Sequence, residues 1–156
     1  MKISVQTEDF DLSQEMRDMR KDRSDIGAMV SFVGLVRDLN DGQNVAAMEL
    51  EHYPGMTEKA LQTIVDEAMR RWVLQDVSVI HRVGPLLPAD QIVLVVVVAS
   101  RHRGEAFAAC EFIMDFLKSR APFWKKEQTP EGARWVDARD SDEHALDRWQ
   151  GEPGKP

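Results

Sequence analysis

Two short stretches concentrate positive charge in a chain that is acidic overall. Ser100-Arg101-His102-Arg103-Gly104 stands where an apolar strand gives way to a helix. Free backbone N–H groups and the positive helix end favour an anion at such a junction. By residue type alone, the stretch serves equally well as a solvated turn. The second stretch, Lys118-Ser119-Arg120-Ala121-Pro122-Phe123-Trp124-Lys125-Lys126, holds four positive charges and no acid. Lys118 and Arg120 also complement the negative end of the helix that carries them. On an extended strand Lys125 shares a face with Phe123 and Lys126 with Trp124, so the two lysines point in opposite directions. Trp124 taken alone reads more readily as core than as a ligand platform. Arg37, just after an apolar strand, is a third candidate anion contact.

Other catalytic signatures are missing. The sequence has no Gly-rich phosphate loop, no paired-cysteine metal site and no helical His-Glu-x-x-His. His52, His81, His102 and His144 are scattered without zinc-site spacing. Metal and cofactor are therefore both expected to be none. Cys110 lies on the apolar stripe of its helix and reads as a structural thiol rather than a nucleophile. A lone cysteine makes no internal disulfide, which fits a reducing cytoplasm. The N-terminus leads straight into acidic residues, unlike a secretory signal. The longest apolar run, Ile92 to Ala99, is far short of the roughly 20 residues that span a membrane. A formal net charge of −7 argues against general nucleic-acid binding. Any anionic ligand must be met by a local basic cluster.

The elements that must position these groups follow from periodicity. Lys2 to Gln6 alternates as a short strand, and Ser13 to Lys21 reads as a polar helix. Ile26 to Val36 is apolar on both period-2 faces and is expected to be a central strand. Asp38 to Asn44 is a polar loop, and Val45 to Tyr53 a second strand. Pro54-Gly55 breaks it, and Thr57 is expected to N-cap a long helix. Ala60, Leu61, Ile64, Val65, Ala68, Met69 and Trp72 form the buried stripe of that helix. Val77 to Val83 is a strand, Pro85 and Pro88 bracket a turn, and Gln91 to Ser100 reads as a strand buried on both faces. A second long helix, about Gly104 to Arg120, turns Ala106, Phe107, Cys110, Ile113, Met114 and Leu117 inward and ends at Pro122. Phe123 to Gln128 and Ala133 to Ala138 form a hairpin. Asp142 to Trp149 makes a last helical turn or two. The length of 156 residues fits one domain. Residues 1–149 are expected to form it, as an α+β fold with a mixed sheet and two long helices, and 150–156 a disordered tail.

Several long strings resemble the molybdopterin synthase catalytic (large) subunit, the MoaE family. They are Glu51-His52-Tyr53-Pro54-Gly55-Met56-Thr57-Glu58-Lys59-Ala60-Leu61 and Phe112 through Glu127. Val79 to Gly84, Arg101-His102-Arg103, Thr129 to Gly132 and Arg134-Trp135-Val136 add to them. The likeness runs from about Ile26 to Trp149. It implies an α/β hammerhead fold with a small antiparallel β subdomain. It also implies a sulfurtransferase subunit that converts cyclic pyranopterin monophosphate to molybdopterin, in molybdenum cofactor biosynthesis. The sulfur would come from the C-terminal Gly-Gly thiocarboxylate of a small ubiquitin-like partner. Large subunits would pair as a central homodimer within a heterotetramer. Catalytic roles fall on Lys118 and Lys125, and substrate-binding roles on Arg37, His102, Arg103, Lys126 and Glu127. Leu35 departs from the pattern, since relatives often carry a basic residue there and leucine binds no anion.

The resemblance accounts for the missing nucleophile, because a thiocarboxylate is already ionised and nucleophilic near neutral pH. The large subunit would then position two partners and stabilise developing charge. Crowding by other cations lowers a lysine pKa, so a lysine could also move protons. Gly104 and Lys118 lie 14 residues apart on one helix, roughly 21 Å, too far for one pterin phosphate to bridge. A composite site is therefore expected, with His102 and Arg103 of one protomer facing Lys118 and Lys125 of the other. Two other readings compete: a non-catalytic scaffold for a ubiquitin-like partner, and a small RNA binder that stacks bases on Phe123 and Trp124. Net acidity weighs against the RNA binder.

Overall fold

A computed structural model describes residues 1–40, 42–136 and 140–151, the side chains at 39, 40, 43, 97–99, 140 and 141 excepted. The expected tail beyond 151 lies outside the described residues. In chain order the elements are β1 (Lys2–Gln6), α1 (Leu12–Arg20), β2 (Ala28–Leu35), β3 (Leu39–Asn40), β4 (Gln43–Asn44), β5 (Ala47–His52) and α2 (Met56–Arg71). They continue as β6 (Leu74–Arg82), β7 (Gly84–Leu86), β8 (Gln91–Ala99), α3 (Arg103–Arg120), β9 (Phe123–Thr129), β10 (Gly132–Val136) and α4 (Asp140–Ala145), with a 3-10 turn at Leu146–Trp149. The fold is α+β, as expected.

A mixed sheet runs in the order β1-β6-β8-β2. The β1–β6 pair is parallel and the other two are antiparallel. Alternation along β6 and β8 decides what covers each face. Val77, Val79, Val93 and Val95 pack under α2 and α3, against Leu61, Val65, Ala109 and Ile113. Ile80, Leu94 and Val96 face the other way, toward Phe10 and the apolar residues of α1. The run Ile92 to Val96 is thus buried on both faces, as its composition requires.

The strand expected to be central is instead the sheet edge: β2 pairs only with β8 among the described residues. Its two apolar faces are nevertheless real. Val30 packs toward α2 and α3, and Met29 and Val33 toward α1. Side-chain periodicity reports which faces are covered and carries no information on whether both hydrogen-bonding edges are paired.

The second sheet, β10-β9-β5-β7, is antiparallel throughout and supplies the small β subdomain. A separate apolar cluster joins it to the first sheet, with Met48, Leu50 and Leu86 meeting Val36 and Ile92. Thr57 does not N-cap α2. Gly55 does so at φ 84°, where the left-handed backbone favours glycine, and Glu58 accepts from its N–H. Thr57 is instead fully buried. Its hydroxyl accepts from the Tyr53 N–H at 3.1 Å and donates to the Pro122 carbonyl at 3.0 Å. That bond ties the start of α2 to the turn between α3 and β9.

Candidate functional site

A cavity of about 320 Å³ opens where the last turn of α3 meets β9 and the ends of β2 and β6. Val36, Met48, Leu50, Ile92, Leu117 and Phe123 form its apolar wall. Its polar groups are Arg37, His81, Lys118, Lys125, Glu127 and Asp142.

Each group arrives by a local rule. Lys118 sits in the last turn of α3, where a cation complements the exposed carbonyls. Phe123, Lys125 and Glu127 alternate onto the cavity face of β9, while Lys126 falls on the opposite face with its ammonium 5.6 Å from the Trp135 ring centroid. The two lysines do point apart, as the alternation requires. Glu127 is buried, and its carboxylate lies 3.7 Å from the guanidinium of Arg134, its register partner on β10. Arg37 follows the edge strand, one residue beyond Val36. Leu35 also lines the cavity and is half exposed, so an apolar side chain occupies that stretch of the rim.

His102 and Arg103 lie at the other end of α3, both exposed, with His102 at the N-cap and making no capping bond through its side chain. The 18-residue helix is roughly 27 Å long, so within one chain these two residues do not reach the cavity. Of the seven site residues expected from sequence, one cavity therefore gathers Arg37, Lys118, Lys125 and Glu127, and leaves His102, Arg103 and Lys126 outside it.

Two lining groups were not anticipated. His81 follows Val77 and Val79 on the face of β6 that α3 covers, so strand parity alone aimed it inward. Its ring stacks on Phe123, centroids 3.8 Å apart and planes 16° from parallel, and its Nδ1 is 2.8 Å from the Arg82 carbonyl. Burial pushes its pKa down to about 3, with Lys118, Lys125 and His52 adding to the depression against the raising effect of the carbonyl. The imidazole is neutral in any ordinary buffer. Asp142 had no local signal. The Ser119 hydroxyl donates to its backbone carbonyl at 2.9 Å. Farther on, Trp149 packs edge-on against Trp72 and Phe112 and donates to Asp115 at 2.6 Å. These contacts fasten the C-terminal segment to α3.

Cys110 is buried on the inner face of α3, and burial raises its thiol to about 11, Glu111 adding to the effect. It is a packing residue, as its place on the helical stripe indicates. Among the described residues no cluster of His, Cys, Asp or Glu could hold a metal ion. The arrangement can hold an anion with Arg37, Lys118 and Lys125 and can polarise a carbonyl; among the described residues no cysteine, serine or threonine lines it.

A family model described as MoaE protein matches residues 5–120. The molybdopterin synthase catalytic subunit of Ralstonia nicotianae is 70% identical over 147 residues, spanning 94% of this chain and 83% of that protein. A solved structure, the molybdopterin biosynthesis MoaE protein of Burkholderia ambifaria, aligns at 62% identity and a TM-score of 0.82, covering 97% of this chain and 99% of that one. A Helicobacter pylori complex of subunits 1 and 2 of molybdopterin-converting factor aligns at 19% identity and a TM-score of 0.72, over 88% and 91% of the two chains. At that identity the likeness bears on the fold alone.

Proposed function

From the premise that this chain belongs to the MoaE family of molybdopterin synthase catalytic subunits, we propose that it moves sulfur onto cyclic pyranopterin monophosphate. The sulfur comes from the C-terminal thiocarboxylate of a small ubiquitin-like partner, and the setting is the cytoplasm. The observation that carries this reading is the convergence of Arg37, Lys118 and Lys125 in one cavity whose lining, among the described residues, includes no thiol or hydroxyl side chain. A site built in this way needs an anionic substrate and a nucleophile from outside, and a thiocarboxylate supplies the nucleophile already ionised.

The partner's sulfur attacks a carbon of the pterin side chain and the carbon–oxygen bond there breaks, so that the two molecules are joined as a thioester. The oxygen leaves with the opened phosphate ester in one transfer and as water in the other. Water then adds to the thioester carbonyl, and the oxyanion collapses to a carboxylate on the partner and a thiolate on the pterin. Lys118 and Lys125 stand where an ammonium stabilises that oxyanion, and Arg37 holds the phosphate. Two such transfers make the dithiolene. Glu127 restrains Arg134 at the cavity wall and keeps the local charge from becoming prohibitive.

The position of His102 and Arg103 at the far end of α3 supports a composite site. In it these two residues serve the cavity of a second copy within a homodimer that carries one small subunit at each end. Incubation with thiocarboxylated small subunit and cyclic pyranopterin monophosphate should yield the dithiolene. Lys118→Ala should lower turnover by at least about a hundredfold with partner binding intact. Near-normal product from that variant would refute the assignment, and a scaffold that performs no chemistry would tolerate loss of both lysines. Arg103→Ala and Lys118→Ala protomers should regain activity when mixed; failure to do so despite proven subunit exchange would remove the composite site.

A further inference from the structure

His81 has no role in the reading above, yet it is a buried polar group of the cavity held by both a ring stack and a hydrogen bond. A carbonyl oxygen only accepts, so the short contact to Arg82 assigns the ring hydrogen to Nδ1. Nε2 is then a bare lone pair. Stacking on Phe123 prevents the ring from turning away, and no other hydrogen bond to it is made among the described residues. The side chain is 5% exposed and lines the cavity. The fold therefore presents one uncharged acceptor inside a pocket whose lining includes three cationic donors. Of these, Lys118 belongs to the helix that covers the face of β6 bearing His81. Lys125 leaves β9 beyond Phe123, on whose ring the imidazole already rests.

We propose that His81 is a positioning residue whose uncharged imidazole accepts a hydrogen bond at Nε2 from the Lys118 ammonium. The proposal deepens the sulfur-transfer reading and takes its catalytic meaning from it. A carboxylate in this place would aim the lysine equally well but would cancel its charge. A protonated histidine would repel it. A neutral ring orients the ammonium and leaves its full charge for the substrate and the oxyanion. The same burial and the same lysines that hold the ring at a pKa of about 3 keep it an acceptor through the working pH range.

Nitrogen NMR of the histidine rings tests this without substrate or partner. His81 should show the Nδ1–H tautomer, and Lys118→Met should shift its Nε2 resonance toward that of a free lone pair. His81→Phe keeps a stacking ring and removes the acceptor. It should lower the Lys118 pKa by about one unit and kcat by about tenfold, with KM little changed. His81→Gln restores an acceptor near Nε2 and should recover most of both. An Nε2–H tautomer, or a resonance unmoved by Lys118→Met, overturns the proposal even if the His81 variants fail to fold. Equal loss of kcat in His81→Phe and His81→Gln, with Lys118 titrating normally, also overturns it by reducing the ring to packing. If the unmutated protein makes no dithiolene, the sulfur-transfer reading fails while the His81–Lys118 contact still stands or falls on the spectra.

Discussion

Replacing Thr57 with valine tests how the fold holds β9, the strand that carries Lys125, in register. The two side chains have nearly the same shape, so the substitution removes hydrogen bonds and little else. Thr57 is fully buried and makes two of them, one from the Tyr53 N–H and one to the Pro122 carbonyl. Each bond contributes about 1 kcal/mol net, and a buried group left without a partner costs about 1–3 kcal/mol. Valine recovers part of this through its extra methyl. The expected loss is about 3 kcal/mol, a large share of the roughly 5–15 kcal/mol that holds a domain together. In a chain of this length that lowers Tm by roughly 6–12 °C. Urea unfolding followed by circular dichroism should show a reduced midpoint with an unchanged slope. Thr57→Ser keeps both bonds and loses one methyl, so it should cost only about 1 kcal/mol. Pro122 immediately precedes Phe123, on which His81 stacks, and Lys125 follows two residues later. Thr57→Val should therefore also lower turnover at temperatures where the protein is fully folded. The reasoning fails if Thr57→Val stays within about 1 kcal/mol of the parent, or if serine is as damaging as valine.

A thiol with a pKa of about 11 is ionised in only about one molecule in ten thousand at pH 7. Cys110 should therefore resist alkylation in the folded protein, and Cys110→Ala should leave sulfur transfer within about twofold of the parent; a larger loss in a folded variant would make the thiol a reactant. Glu67 accepts from Arg70 and Arg71, and these bonds hold its carboxyl down at about 2 against an ordinary 4.5. A carboxyl whose folded pKa is depressed adds stability above its unfolded value and loses it as pH falls through the folded one. Glu67→Gln should thus destabilise the protein at pH 7 by an amount that shrinks between pH 4.5 and 2, measured by urea unfolding across that range. A pH-independent difference would show that the pairs contribute nothing through charge.

Much of the site was legible because strand parity and helix position are local properties. Lys118 at the end of α3, and Lys125 facing away from Lys126, follow from the order of residues along one element. The resemblance singled out Glu127, which parity also places beside Lys125. His81 could have been found in the same way, since Val77 and Val79 share its face, but a lone histidine at a strand end carries no chemical signature. Asp142 could not. It reaches the cavity only because Ser119 and the Trp149 contacts fasten a later segment to α3.

By itself, the sequence determined most of the long elements, most of their buried faces and the candidate cationic residues, since spacing of 2 and 3.6 residues records which side of a strand or helix meets the core. It missed the short strands β3, β4 and β7, and it turned Phe107 inward where the structure exposes Phe107 and buries Phe112. Tertiary structure alone decided which edges those strands occupy. It set β2 at the sheet margin, joined β5 to β9 in a second sheet, and brought the far end of β6 beneath the last turn of α3. Edge pairing is a contact between backbones distant in the chain, where every residue offers the same N–H and C=O, so no pattern of side chains writes it down in advance.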